Sequence, residues 1–187
     1  MTEQSKDHRP DWPTLVQALK REVAALGDVE QAWLNERLAV IAATQQALDQ
    51  LFCKAGGSTS CSGCDGACCG CGRHHLTLTN LLAYLLAGEE PPAPDFSRTC
   101  PFLGETGCRL PVPRRPYNCI TFFCEILEDQ LSPDEYEQLR SLDRRLRNEY
   151  QRVAHRYPGA SLRGLWIAME QVGLGHLLSA AGKDVLE

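Results

Sequence analysis

Five cysteines fall within the eleven residues from Cys61 to Cys71: Cys61, Cys64, Cys68, Cys69 and Cys71, spaced by Ser, Gly, Asp and Ala. Four more follow at Cys100, Cys108, Cys119 and Cys124, and Cys53 precedes the run. Thiolates crowded this closely repel one another, so a small electrophilic centre is the reason for them to converge. Glycines among the spacers let backbone wrap tightly around an ion. The stretch from Cys61 to Cys124 therefore reads as a metal or iron–sulfur segment.

The compartment decides how ten cysteines are read. In secreted chains they indicate disulfides; in reducing cytosol they indicate metal or redox chemistry. Residues Met1 to Pro10 are polar and charged, without the apolar stretch of a secretory signal. No run approaches the roughly 20 apolar residues of a spanning helix, so no membrane is expected. The reading is a cytoplasmic chain. Cys68 and Cys69 are adjacent, about 3.8 Å apart at Cα, below the disulfide range that begins near 4.4 Å. A net charge of -5 lacks the positive footprint of a nucleic-acid binder.

The 187 residues suit one domain, and the 43% apolar fraction supplies a core. Residues 1–10 read as a flexible tail and 11–187 as a single domain. Pro13 opens a helix with Leu15, Leu19 and Val23 on one face, stopped by Gly27. Asp28 is the expected cap of a longer helix, with Leu34, Leu38, Ile41, Leu48 and Phe52 in a stripe that Gln45 interrupts. Together they read as an N-terminal helical hairpin, 11–52. Cys53 ends it, and Gly56 to Ser60 is expected to be a loop.

Residues 53–126 form the expected metal-binding core. Within it, Thr79 is the expected cap of a short helix through Leu81 to Leu85, ending at Gly88. Glu89 to Pro94 reads as an exposed loop, and Cys100 to Leu110 as a small hairpin turning near Gly104 to Gly107. Pro111, Pro113 and Pro116 keep the next stretch irregular, before a helical region from about Tyr117 to Leu127. Residues 127–187 carry the C-terminal helices. Ser132-Pro133-Asp134-Glu135 is a helix start, with Tyr136, Leu139, Leu142, Leu146, Tyr150 and Val153 as its apolar stripe. A last helix begins near Ser161. The expected fold is mainly α: helical layers around an irregular cysteine-rich segment, with at most a small β-hairpin.

Zinc takes Cys ligands spaced C-x₂₋₄-C, and iron–sulfur clusters accept similar spacings. The thiols exceed one four-coordinate ion, so two ions bind, or one cluster binds and some thiols are spare. Cys68 and Cys69 share an ion only if the backbone turns sharply between Gly66 and Gly70. A structural Zn²⁺ contributes roughly 10–16 kcal/mol in small peptides, against about 5–15 kcal/mol for a whole domain. The cysteine-rich loops are thus expected to depend on the metal for their order.

Cys61, Cys64, Cys68 and Cys69 are followed by Leu78-Thr79, by Cys100-Pro101-Phe102-Leu103, by Cys108 and by Arg115-Pro116-Tyr117-Asn118-Cys119. At these residues, over about a third of the chain, the sequence resembles the YkgJ-type cysteine-cluster family, described as a zinc- or iron-chelating domain. Two departures stand out: three residues separate Cys64 from Cys68 where the family has two, and extra prolines lie between Cys108 and Arg115. The expected metal ligands are Cys61, Cys64, Cys68, Cys69, Cys100, Cys108, Cys119 and Cys124. Some longer relatives of that family look like iron–sulfur proteins linked to protein lysine methylation.

Outside the pattern, Cys53 reads as a buried apolar thiol, and Cys71 stands open between ligand and spare thiol. His74 and His75 read as polar loop residues rather than ligands. Arg115 is expected to serve the bound group by compensating thiolate charge or donating to sulfur. The arginines of the long C-terminal helix, interleaved with Asp143 and Glu149, read as a solvated face. Trp33, Tyr136 and Trp166 read as core or helix-contact residues. There is no Ser/His/Asp set and no phosphate loop.

Three functions follow. The first is a metal-binding protein that chelates zinc or iron, with an iron–sulfur cluster as one form. The second is an iron–sulfur enzyme in redox or group-transfer chemistry such as protein methylation, which requires an open coordination position and an adjacent pocket. The third is a zinc-stabilised module whose helices bind a protein partner.

Overall fold

A computed structural model describes residues 10–62, 72–105 and 107–179. The fold is mainly α, with one two-stranded antiparallel ribbon among the described residues. None of the described helices is long and apolar enough to cross a membrane.

Local chemistry sets the longest elements. Ser132 Oγ accepts from Glu135 N at 3.3 Å, and Glu135 Oε2 accepts from Ser132 N at 2.8 Å. This reciprocal cap, with Pro133 at the first position, opens helix α7, Pro133–Arg156. Helix α2, Asp28–Lys54, begins one residue earlier than a cap at Asp28 would give, because extended Gly27 occupies the cap position. The two helices run antiparallel. Glu30 pairs with Arg156 and Tyr157 near one end, Arg37 Nη1 reaches Glu149 Oε2 at 3.2 Å, and Lys54 meets Glu135 at the other end. Leu34, Leu38, Ile41 and Leu48 face Leu139, Leu146, Tyr150 and Val153 in one buried cluster. Tyr136, expected in the core or at a helix contact, is 39% exposed at the first turn of α7.

Helix α1, Trp12–Ala24, is opened by Asp11, whose Oδ1 accepts from Thr14 N at 2.8 Å. The helix alongside α2 is α7, whereas α1 packs against α4, Leu78–Leu85. At the corner between α1 and α2, Gln31 Nε2 donates to Leu26 O at 3.0 Å. The loop expected at Gly56 to Ser60 is instead largely a short helix, α3, Gly57–Ser62. Gly56, at φ +79°, makes the break from α2 that only glycine makes cheaply. Gly57 then lies so close under Phe52 that an added Cβ would stand 2.5 Å from its ring.

The cap of α4 is Thr77, not Thr79. Asn80 Oδ1 accepts from Thr77 N (3.0 Å) and Thr77 Oγ1 (2.8 Å), which starts the helix two residues earlier. Thr79 lies inside α4 and is buried. The ribbon pairs β1, Leu103–Gly104, with β2, Gly107–Cys108, in the register Leu103 to Cys108. Two short helices follow, α5, Tyr117–Thr121, and α6, Glu125–Glu128. The final helix α8, Leu165–Val172, begins after Gly164, later than the expected Ser161.

Candidate metal centre

The backbone that carries Arg115 and Cys119 is fixed by a buried polar network. Asn80 Nδ2 donates to the carbonyls of Arg114 (3.2 Å) and Arg115 (3.1 Å) and to Tyr150 Oη (3.0 Å). Gln45 Nε2, from α2, also donates to the Arg115 carbonyl. Gln45 therefore interrupts the apolar stripe of α2 because an irregular, proline-bounded segment brings it a carbonyl that must be satisfied. Two helices, α2 and α4, thus grip one peptide segment, and α7 braces Asn80 through Tyr150.

Arg115 emerges from this segment toward the ribbon. Its Nε donates to Leu110 O at 3.3 Å, and its Nη1 reaches Asp49 Oδ1 at 3.2 Å. It also acts on Cys108. Desolvation pushes the Cys108 thiol upward; Arg115 pulls it down through its charge and a hydrogen bond, and the nearby Cys100 pushes it up. Cys108 is exposed as a residue, while the atoms packed against its sulfur remove enough water for that upward push to prevail. Arg115 thus pairs with Asp49 and also lies close enough to Cys108 to act on its thiol.

The turn leaving the cysteine run lies between two further cysteines. Gly72 packs against Cys100 so tightly that a Cβ there would stand 2.8 Å from Cys100 Sγ. Three residues on, His75 Nδ1 lies 3.2 Å from Cys119 Sγ. The turn is closed by His75 N donating to Gly72 O at 3.2 Å. It is then stapled to α8, where Leu165 N donates to Leu76 O at 2.7 Å. Gly164, at φ +100°, approaches the His74 carbonyl within 2.3 Å of where a Cβ would be. Burial, and secondarily the charge of His74, holds the His75 imidazole below its usual pKa, which favours the neutral ring able to take a metal.

The remaining expected ligands stand differently. Cys124 is half-buried against the core and its backbone caps α6. Cys64, Cys68, Cys69 and Cys71 lie outside the described residues, and of Cys61 only the backbone, in α3, is described. Cys53 departs from expectation. It is exposed on the last turn of α2, with Sγ 3.8 Å from Asp49 Oδ2 and 3.6 Å from Ser58 Oγ, because that face of the helix end looks onto polar groups. Among the described cysteines, Cys53, Cys100, Cys108 and Cys124 are free thiols. Among the described residues no three His, Cys, Asp or Glu side chains converge as a complete metal site.

No protein-family model, curated protein or solved structure matches the chain.

The donor chemistry present fits zinc or iron. Cys100, Cys108 and Cys119 offer soft sulfur, His75 offers nitrogen, and Arg115 supplies a positive charge beside sulfur. His75, read from the sequence as a polar loop residue rather than a ligand, is the nitrogen that stands against a cysteine sulfur. Its partner is 44 residues away, and the only local sign was its place just after the last cysteine of the run.

Proposed function

We propose that this chain is a metal-binding protein that chelates zinc or iron, with an iron–sulfur cluster as one form, and that it belongs to the YkgJ-type cysteine-cluster family. The observation that carries the reading is the Gly72–His75 turn. It leaves the cysteine run with one end against Cys100 and the other against Cys119. Cysteines widely spaced along the sequence, Cys100 and Cys119, thereby meet the turn that follows the thiol-rich segment in the chain, which favours shared coordination. Cys61, Cys64, Cys68, Cys69, Cys100, Cys108, Cys119 and Cys124 are the ligand set of this reading. Arg115 offsets thiolate charge, and the cytoplasm is the compartment.

Bound metal would supply cross-linking to this region. The chain's own residues do the positioning: Asn80 and Gln45 hold the Arg115 carbonyl, Arg115 holds the segment just after the ribbon at Leu110, and Gly164 lets α8 close on the turn that bears His75.

Anaerobic purification followed by metal analysis and a visible spectrum tests the reading. Iron with sulfide and brown colour supports the cluster form, and stoichiometric colourless zinc supports the structural form. A chain with neither metal, whose cysteines are paired by mass spectrometry, removes the reading.

One observation favours the enzyme reading as a second. A cavity of about 380 Å³ is lined by Trp12, Arg73, Phe96 and Trp166, and Arg73 directly follows the glycine packed on Cys100. Flat apolar walls and a guanidinium suit a planar ligand bearing an anionic group. Quenching of tryptophan fluorescence by such compounds, lost in R73A, supports this reading; no quenching across a series of them removes it.

A further inference from the structure

One histidine nitrogen of the described region is set directly against a cysteine sulfur, and the fold holds that contact from both sides. On one side, His75 is fixed by the Gly72 carbonyl behind it and by the α8 staple at Leu76 ahead of it. The glycine at 164 allows α8 to approach, since any side chain there would strike the His74 carbonyl. On the other side, Cys119 sits in the first turn of α5, where its N–H donates to Pro116 O at 3.0 Å. That turn follows directly from the Arg115 carbonyl gripped by Gln45 and Asn80.

The separation suits a shared ion. Zinc–nitrogen bonds of about 2.0–2.1 Å and zinc–sulfur bonds of about 2.3 Å, at the tetrahedral angle, place the two ligand atoms about 3.5 Å apart. His75 Nδ1 and Cys119 Sγ stand at 3.2 Å. A shift of a few tenths of an ångström admits the ion, with Nε2 left to carry the ring proton.

We propose that His75 Nδ1 is a metal ligand, paired with Cys119 Sγ in a mixed nitrogen–sulfur coordination of zinc or iron. This rests on the metal-binding reading above and specifies its donor set. The pair replaces one anionic thiolate by a neutral imidazole, which lowers the negative charge gathered at the metal. His74 serves as an internal control, since it is the same residue type one position away and exposed.

The test is a titration of the full-length reduced chain with Co²⁺ under anaerobic conditions, followed by visible absorption and repeated with H75A, H75C and H74A. Far-UV circular dichroism of each metal-free variant confirms a shared starting fold. The wild type is expected to bind with thiolate-to-cobalt charge transfer and tetrahedral ligand-field bands. H75A is expected to lose about tenfold or more in affinity, with shifted bands. H75C is expected to regain affinity with stronger charge transfer, as one more thiolate enters, and H74A is expected to match the wild type. If H75A and H75C both reproduce the wild-type affinity and spectrum, His75 is not a ligand while the metal-binding reading stands. A wild-type chain that takes up no cobalt, zinc or iron overturns both.

Discussion

Asn80 Nδ2 donates to Tyr150 Oη at 3.0 Å and ties α4 to α7 across 70 residues of sequence. Both residues are almost wholly buried, and burial pushes the Tyr150 phenol well above its usual value, so it stays protonated. Truncating Asn80 to Ala leaves Thr77 N, Thr77 Oγ1 and the Arg114 carbonyl short of a partner at once. The expected loss is about 3 kcal/mol, the upper end for orphaned buried groups. Y150F leaves Asn80 two carbonyls for its two N–H groups and is expected to cost about 1 kcal/mol. Urea unfolding of both variants checks the order, and equal losses would mean the network is not what clamps the segment.

Glycine 164 and glycine 175 make a matched pair. Both have positive φ, but a Cβ at 164 would stand 2.3 Å from the His74 carbonyl, whereas a Cβ at 175 meets open space. G175A is expected to cost about 1–3 kcal/mol, the backbone strain alone. G164A is expected to cost more and to displace the turn that bears His75. Thermal unfolding compares the two, and metal titration of G164A, expected to show weakened binding, reads the local displacement.

The acid limb of stability should carry the mark of Glu135. Lys54 first, then the backbone N–H and hydroxyl of Ser132, hold its carboxyl down at about 2, against an ordinary value of 4.5. Its contribution is therefore fully present above pH 4.5 and is lost as pH falls toward 2. The gap in melting temperature between wild type and E135Q should be widest near neutrality and close over that window. Because the partner Lys54 is solvent-exposed, raising the salt concentration should narrow the gap at pH 7 as well.

Removing Arg115 should make Cys108 a weaker acid. Desolvation already pushes that thiol up, and Arg115 is among the groups that pull it down. In metal-free protein, alkylation of Cys108 followed against pH should shift to higher pH in R115A. R115K should recover only part of the shift, since an ammonium supplies charge but not the planar fork that also reaches Leu110 O and Asp49.

The legible parts of this fold were the local ones. Ser132 to Glu135 spells its cap within four residues, and the ribbon at Leu103 to Cys108 is announced by glycines on either side of its turn. The stripe of α2 was equally readable, but not the identity of the helix beside it. Apolar periodicity says that a face is buried and does not say against what. Thr79 was the expected cap, and only the Asn80 side chain, answering at the third position from Thr77, gives that place to Thr77. Gly57 to Ser60 has the composition of a loop; packing beneath Phe52 makes it helical instead. Of the site, the cysteines and Arg115 stand out by pattern. The approach of His75 to Cys119 exists only once α5 and the Gly72 turn have been folded against each other.

Lys54 and Glu135 meet where the antiparallel pair α2 and α7 closes, and nine of the ten cysteines lie between those two positions in the chain. The stretch that carries them is therefore a bight held shut at its neck by two stiff rods. Its sulfurs search for one another within a small confined volume rather than along a free chain, so much of the entropy of gathering them is already spent before any ion arrives.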